Sequence, residues 1–287
     1  MKKTDFIVRP MQPGDIVDAM KLSSAEGWNQ TEKDWELLIE SPQNVCLLAE
    51  CNKKIIGTTT AMNYANQIAW IGMVLVDKEY RGQGVSKLLL RNILERLESF
   101  ASIKLDATQA GQQVYEKFDF KDEYLIARLV TGSLKNLTFD DETILAESIQ
   151  LKDIEEIIAL DENVFGANRR PLIESLINRY PHKAWLLKRN NSIAAFALGR
   201  EGNKYHHIGP AFGFAINDVK KLIRKALREL ISQPVVMDVL YDKEDLIAWL
   251  NSIGFSMQRH FVRMYKKENS LPGTVNKQYL ICGPEFG

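Results

Sequence analysis

The sequence contains WIGMVLVDKEYRGQGVSKLLL at residues 70–90, and this segment says most about the architecture. It starts with an apolar run typical of a buried strand and ends with the spacing of an amphipathic helix. Gly82 and Gly84 lie in the short turn between the two. A helix start has unpaired backbone N–H groups and a partial positive charge, and glycines let a ligand come close. The sequence therefore predicts a site for a phosphate-bearing cofactor at this turn.

The glycine spacing excludes two common phosphate loops. A dinucleotide fingerprint requires three glycines in the pattern GxGxxG, and a P-loop requires Gly-Lys followed by Ser or Thr. The turn resembles instead the acyl-CoA loop of the GCN5-related N-acetyltransferase (GNAT) superfamily, Gln/Arg-x-x-Gly-x-Gly/Ala, with Ser86 as the one departure. A second phrase, YEKFDF at residues 115–120, resembles the superfamily's Tyr-Glu-Lys-x-Gly-Phe, with Asp119 in the place of the usual glycine. The two phrases occur in the order and separation that the superfamily has.

This resemblance implies that the first half of the chain binds acetyl-CoA. The expected contacts lie in the apolar strand and in the turn after it: Val74, Leu75, Val76, Arg81, Gly82, Gln83, Gly84, Val85, Ser86 and Lys87. The pantetheine arm is expected to pair with the backbone of this strand as an added strand would. The resemblance also implies that Tyr115 protonates the departing CoA thiolate, and that a backbone N–H of residues 73–75 binds the thioester oxygen.

Transfer to an amine also requires a base. An alkylamine is mostly protonated at neutral pH, so a side chain or a water chain must remove its proton. Asp106, near the end of a predicted buried strand, is the candidate catalytic base. Glu26, Asp34 and Glu285 are the alternatives, although Asp34 is also spaced from Thr31 as in a helix capping box.

Two further phrases resemble a tandem subgroup of the superfamily. They are GWNQT at residues 27–31 and FGANR at residues 165–169, and each precedes a predicted helix. In this fold, the loop between the first two helices covers the acceptor pocket. Trp28 and Asn29 are therefore the predicted substrate-binding residues, although a lone tryptophan is also a common core residue.

An internal repeat supports the tandem arrangement. Residues 114–120 align with residues 249–255, so that Leu250 corresponds to Tyr115, and the offset stays nearly constant at two earlier matches. We therefore predict one fold used twice, with an N-terminal GNAT domain at residues 1–132 and a C-terminal GNAT-like domain at residues 143–287. Each domain is expected to be an α+β structure with α/β/α layers around a mixed sheet.

The second domain is expected to be degenerate. After Ile208-Gly209 it has lost the residues that form the Arg/Gly turn in the first half, and Leu250 has no proton to donate. A role in substrate recognition or as a scaffold is predicted for it.

Composition limits the possible partners. Lys and Arg together number 37, as do Asp and Glu, so a net charge of +0 does not favour nucleic acid or an anionic membrane. No apolar run approaches membrane-spanning length, and a cytoplasmic location is expected. The three cysteines and four histidines lack the spacing of metal ligands, so no metal site is predicted.

The sequence therefore predicts an N-acetyltransferase. Its acetyl-CoA would be attacked directly, in a ternary complex, by a primary amine of a small molecule or peptide. The alternatives are transfer of another acyl group, attack by a hydroxyl group, and an acyl-CoA-binding sensor without catalysis. Tyr115 distinguishes an enzyme from the sensor, because a sensor needs the acyl-CoA loop but not a residue that protonates the CoA thiolate.

Overall fold

The computed structural model describes residues 6–132 and 146–287, and all thirteen strands in these ranges join one mixed sheet. The strands are β1 Ile7–Pro10, β2 Val45–Cys51, β3 Lys54–Tyr64, β4 Ile68–Val76, β5 Ser102–Thr108, β6 Lys121–Thr131, β7 Glu147–Ser148, β8 Ala184–Arg189, β9 Ser192–Arg200, β10 His206–Gly213, β11 Val235–Leu240, β12 Ser256–Lys267 and β13 Gln278–Leu280. The helices are α1 Ile16–Ala25, α2 Glu32–Glu40, α3 Val85–Arg96, α4 Gln109–Glu116, α5 Ile154–Phe165, α6 Arg170–Arg179, α7 Ile216–Glu229 and α8 Glu244–Ser252.

Helices cover both faces of the sheet. Side chains alternate between the faces of a strand, so in β2 Leu48 belongs to one core, whereas Leu47 and Ala49 belong to another. The core that contains Leu48 is shared by the two halves of the chain and lies beneath α1, α2, α5 and α6. The opposite face has separate cores beneath α3 and beneath α7 and α8. The result is a layered α+β structure.

The final strands of the two halves are exchanged. The strand order is β1-β2-β3-β4-β5-β12-β6-β11-β13-β10-β9-β8-β7. Although β12 belongs to the second half of the sequence, it pairs with β5 of the first half, and β6 pairs in turn with β11. The two predicted domains therefore share one sheet, and each supplies a strand next to the other. The linker expected around residues 133–142 lies outside the described residues.

The 281–287 segment returns to the middle of the molecule. Tyr64 Oη donates a hydrogen bond to the Phe286 carbonyl at 2.7 Å, and Trp70 Nε1 donates one to the Pro284 carbonyl at 2.9 Å. Arg169 of the second half donates to the Gly287 carbonyl at 2.6 Å. Since buried polar groups are satisfied here by fixed partners, the segment is held at the junction of the two halves.

Local signals at one helix start are confirmed. The capping box predicted from Thr31 and Asp34 is present at the start of α2, where the Asp34 carboxylate accepts a hydrogen bond from the Thr31 N–H at 2.7 Å.

Across the described parts of the chain, no helix combines the length and apolar character needed to cross a bilayer. Nor do residues 6–132 and 146–287 bring three or more His, Cys, Asp or Glu side chains together as metal ligands.

Candidate active site

A cleft opens where β4 and β5 separate. The two parallel strands pair only over Ile68–Ile71 and Ser102–Leu105. Beyond Ile71 the pairing of β4 with β3 shifts in a β-bulge, where Met73 has a left-handed φ of 50°. Thr58 Oγ1 stabilises the bulge by donating a hydrogen bond to the Met73 carbonyl at 2.8 Å. Among the described residues, no strand therefore pairs with this edge of β4 from residue 72 onward, and its backbone groups can pair with a ligand.

The glycine turn lies directly after this free edge. Gly82 has φ = 75° and Gly84 has φ = 89°, values that glycine adopts without strain. Gly84 is the N-cap of α3, and no side-chain hydrogen bond caps the first turn of this helix. A Cβ atom built on either glycine would meet nothing within 4 Å, so the space in front of the helix start is open. This arrangement fits a phosphate group.

The structure places the other predicted cofactor residues along the same edge. Arg81 forms an ion pair with Glu26 at 2.6 Å, and Gln83 Nε2 donates to the Glu79 carbonyl at 3.0 Å, so both side chains fix the turn. Lys87 is exposed on the first turn of α3. Two predictions need refinement, because the Leu75 and Val85 side chains are buried in the cores. These two residues can contact a ligand only through their backbone.

The cleft leads into a central cavity of about 180 Å³. Its walls come from both halves of the chain, with Trp28, Ser86 and Tyr115 from the first half and Arg259, Phe261 and Glu285 from the second. The backbone of residues 72–74 also lines it. The exchange of β12 and the return of the 281–287 segment bring the second-half residues here, and sequence reasoning missed Arg259 and Phe261 because nothing local marks such a placement.

Tyr115 reaches this cavity from α4. Thr108 starts that helix by accepting a hydrogen bond from the Gly111 N–H at 3.2 Å. The Tyr115 ring packs edge-on against Phe120, with 5.8 Å between ring centroids. Its hydroxyl has no hydrogen-bond partner within residues 6–132 and 146–287. Burial raises the pKa of Tyr115, so the phenol keeps its proton at neutral pH and can act as a donor.

Asp106, the predicted base, is held in an ion pair by the second half of the chain. It lines the cavity, but both carboxylate oxygens accept hydrogen bonds from Arg263, at 2.8 and 2.9 Å. Arg263 arrives on β12 from the second half and also donates to Tyr124 Oη at 2.5 Å. A carboxylate held in a two-pronged ion pair is poorly placed to take a proton from a ligand. The observed geometry favours a structural role for Asp106, in which it joins the two halves.

The two predicted substrate-binding residues, Trp28 and Asn29, are placed differently, since Asn29 is bound by the second half of the chain and Trp28 lines the cavity. The Asn29 side chain is 5% exposed, and its oxygen accepts hydrogen bonds from the backbone N–H groups of Lys204 and Tyr205, both at 2.9 Å. Its nitrogen donates to the Tyr205 carbonyl at 3.0 Å. These bonds occupy the amide and fix a loop of the second half, and Asn29 does not line the cavity. Trp28 does line it.

The alternative carboxylates differ in their availability. Glu26 is engaged outside the cavity by Arg81, and Asp34 caps α2 and binds Arg200 at 2.9 Å. Glu285 is 2% exposed and lines the cavity; its Oε1 accepts a hydrogen bond from Arg200. Its Oε2 is buried without a hydrogen-bond partner among the described residues. Of these three carboxylates, Glu285 is the one that lines the cavity, and its Oε2 is free to bind a ligand.

Glycine at position 72 lets Glu285 approach β4. A Cβ on Gly72 would lie 3.0 Å from the Cα and 3.1 Å from the carbonyl oxygen of Glu285, closer than nearly all real contacts. The backbone of the 281–287 segment therefore packs directly on the strand that borders the cleft.

The corresponding cleft of the second half is filled by the chain itself. β10 and β11 pair in parallel over His206–Ile208, after which β13 pairs with both of them. A Cβ on Gly209 would lie 2.0 Å from the Ile281 carbonyl, which shows how close this packing is. β10 ends at Gly213 and α7 begins at Ile216, so no long turn precedes the helix. The second half therefore has neither the open strand edge nor the glycine turn.

Comparisons with known proteins agree with this architecture. Residues 16–120 match the Acetyltransferase (GNAT) family, and residues 157–280 match the Acetyltransferase (GNAT) domain. The chain is 23% identical over 267 residues to the holothin acyltransferase of Pseudoalteromonas sp. (strain SANK 73390), covering 92% of this chain and 88% of that protein.

Solved structures share the fold over nearly the whole chain. A putative acetyltransferase from Pyrococcus horikoshii superposes with a TM-score of 0.81 at 24% identity, covering 98% of this chain and 96% of that one. A tandem GNAT protein from the clavulanic acid biosynthesis pathway superposes with a TM-score of 0.66 at 11% identity, covering 92% and 98%. The chain belongs to the GNAT superfamily of acyltransferases. Within it, this is a tandem GNAT protein, so the predicted family and fold class are confirmed.

Proposed function

We propose that this protein transfers an acetyl group from acetyl-CoA to a primary amine of a small molecule or peptide. One observation carries the proposal: the open glycine turn and the free edge of β4 lead into a cavity lined by Tyr115, whose hydroxyl has no hydrogen-bond partner in residues 6–132 and 146–287. A protein that only binds acyl-CoA would require the glycine turn and the free edge of β4. It would not require a protonated tyrosine hydroxyl in the same cavity.

The first half, residues 1–132 as predicted, would hold the cosubstrate. The N–H groups at the start of α3, with Gly82 and Gly84 before them, would bind the diphosphate. The free edge of β4 at Val74 and Val76 would pair with the pantetheine arm, and a backbone N–H of residues 73–75 would bind the thioester oxygen as negative charge develops on it.

Glu285 and Tyr115 would supply the two proton transfers. The bound ammonium first passes one proton to Glu285 Oε2, and the neutral nitrogen then forms a bond to the carbonyl carbon. As the carbon–sulfur bond breaks, the Tyr115 hydroxyl gives its proton to the thiolate of CoA, and the second proton that the nitrogen loses restores the phenol. Glu285 replaces Asp106 as the base, because both oxygens of Asp106 already accept hydrogen bonds from Arg263, whereas Glu285 Oε2 accepts none from the described residues.

The second half, residues 143–287 as predicted, would act as a scaffold that delivers this base. In the cleft of the second half, β13 pairs with both β10 and β11. The 281–287 segment follows β13 and leads directly into the cavity. Arg200 orients the Glu285 carboxylate from the adjacent strand β9. The unpaired thiols of Cys46, Cys51 and Cys282 are compatible with a reducing compartment such as the cytoplasm.

The decisive experiment follows the free thiol that acetyl transfer releases. Acetyl-CoA is offered with a panel of primary amines, and acylated product is identified by mass spectrometry. Amine-dependent thiol release with an N-acetyl product supports the proposal, and propionyl-CoA and alcohols in parallel test the other acyl group and the hydroxyl acceptor. Tight acetyl-CoA binding without thiol release for any acceptor would favour the sensor.

A further inference from the structure

Arg259 is an arginine of the central cavity that has no anionic partner in the described parts of the chain. It lies on β12, is partly exposed and lines the cavity. Within residues 6–132 and 146–287 its guanidinium has no hydrogen bond or ion pair. The neighbouring arginines differ, since Arg128 binds Asp238 through two hydrogen bonds of 2.7 Å and Arg263 binds Asp106. Arg259 is therefore available to a ligand.

The surroundings of Arg259 are positively charged. Arg259 and Arg128 are cross-strand partners on β12 and β6, a position in which like charges repel each other. Burial and the charge of Arg128 both lower the pKa of Arg259, and Asp238 offsets this only in part because it is committed to Arg128. Arginine stays protonated even so. A negative group bound at Arg259 would relieve this unfavourable arrangement.

The position of Arg259 separates it from the cosubstrate turn. The turn before α3 is on the β4 side of the cleft, whereas β12 follows β5 and its partner β6 lies further away still. The cavity that Arg259 lines also contains Phe261 and Trp28, which offer apolar contacts. This side of the cavity is therefore suited to the acceptor and not to the phosphates of CoA.

We propose that the acceptor carries a carboxylate in addition to its amine, and that Arg259 binds this carboxylate. The inference rests on the proposed function, because it assigns one protein residue to the amine end and another to the carboxylate end of the same acceptor. Glu285 would receive the amine end, and the planar fork of Arg259 would bind the carboxylate through two parallel hydrogen bonds. Amino acids and other amino-carboxylic acids are the substrate class that fits.

The test compares matched acceptors that differ in charge. Glycine, β-alanine, 4-aminobutyrate and the common amino acids are each offered beside their carboxamides, and kcat/KM is obtained from thiol release. The wild-type protein is expected to prefer the best acid over its amide by about tenfold to a hundredfold, the range for a charge-assisted hydrogen bond. Arg259→Gln should remove this preference by lowering kcat/KM for the acid alone.

The control variant is Arg96→Gln, at an exposed arginine that donates a hydrogen bond to the Asn92 carbonyl of α3 and does not line the cavity. It should keep the preference for acids, and both variants should keep the melting temperature and the affinity for acetyl-CoA. Equal kcat/KM for acids and amides in the wild type, or equal losses for both in Arg259→Gln, would overturn the inference while leaving acetyl transfer intact.

Binding separates the inference from the proposed function. Calorimetry with the same acids and amides, in the presence of CoA, measures recognition without turnover. Acid-selective binding that Arg259→Gln abolishes would support the inference even if no acceptor were acetylated, an outcome that would refute only the proposed function. Binding without preference for the acids would refute the inference directly.

Discussion

Glu285→Gln is the variant that most directly tests the proposed chemistry. Glutamine keeps the size of the side chain and an oxygen that can accept from Arg200, but it cannot take a proton from an amine. A general base typically contributes on the order of 100- to 10,000-fold in rate. We therefore expect kcat/KM for the best amine to fall within that range, with little change in the dissociation constant of acetyl-CoA.

The stability cost of this substitution can be estimated from the contacts. Arg200 keeps Asp34 as a partner at 2.9 Å, so its charge is not left unpaired. The new amide has N–H groups where Glu285 Oε2 is buried without a partner among the described residues, and an unsatisfied buried donor costs about 1–3 kcal/mol. The variant should therefore fold, with a lower melting temperature.

Asp34→Asn is the matched control. Asp34 binds the same arginine and is also buried, but it does not line the central cavity, and the side-chain oxygen of asparagine can still accept the hydrogen bond from the Thr31 N–H. We expect a similar loss of stability and a loss of turnover below about tenfold. Comparable losses of turnover in both variants would mean that the ion pairs of Arg200 with Asp34 and Glu285 support turnover only by stabilising the structure.

The pH dependence supplies the sharpest measurement. Without Glu285 only the neutral amine can react, and below an amine pKa of about 10.4 its fraction rises tenfold per pH unit. Single-turnover rates of Glu285→Gln should therefore increase about tenfold per pH unit between about pH 7 and 9, whereas the wild-type rate should change less. Wild-type rates in the variant, with the chemical step limiting, would refute Glu285 as the base.

Three further predictions concern the first half and the asymmetry of the chain. Tyr115→Phe should lower turnover by about 100- to 10,000-fold while acetyl-CoA affinity stays the same, since the hydroxyl acts only as the thiolate leaves; unchanged single-turnover rates would make Tyr115 structural. Gly84→Asp should weaken acetyl-CoA binding by about tenfold or more through bulk and like charge. Gly254→Asp is the control, because Gly254 is a left-handed and equally open position of the second half, and it should leave acetyl-CoA binding intact. A similar loss of affinity in both variants would point to backbone strain and not to a phosphate site at Gly84. Calorimetry should find one acetyl-CoA site per chain because β13 fills the second cleft, and two equivalent sites would contradict that reasoning.

The sequence by itself determined the features that depend on neighbouring residues. The start of α3 follows from an apolar run, two glycines and an amphipathic helix, all within residues 70–90, and the Thr31–Asp34 capping box spans a single turn. The repeat was also readable, because two copies of one fold keep the same order of elements. Local chemistry and repetition require no knowledge of distant partners.

Tertiary structure alone decided which residues meet at the candidate site. Asp106 looked available in the sequence, but its partner Arg263 lies 157 positions away, and the backbone partners of Asn29 lie 175 and 176 positions away. A strand pairs with any edge that fits its register and faces, so the exchange of β6 and β12 leaves no local signal. That exchange, together with the pairing of β13 to β10 and β11, places Arg259 and Glu285 in the cavity that Tyr115 lines, because buried strand edges must find partners wherever the folded chain provides them.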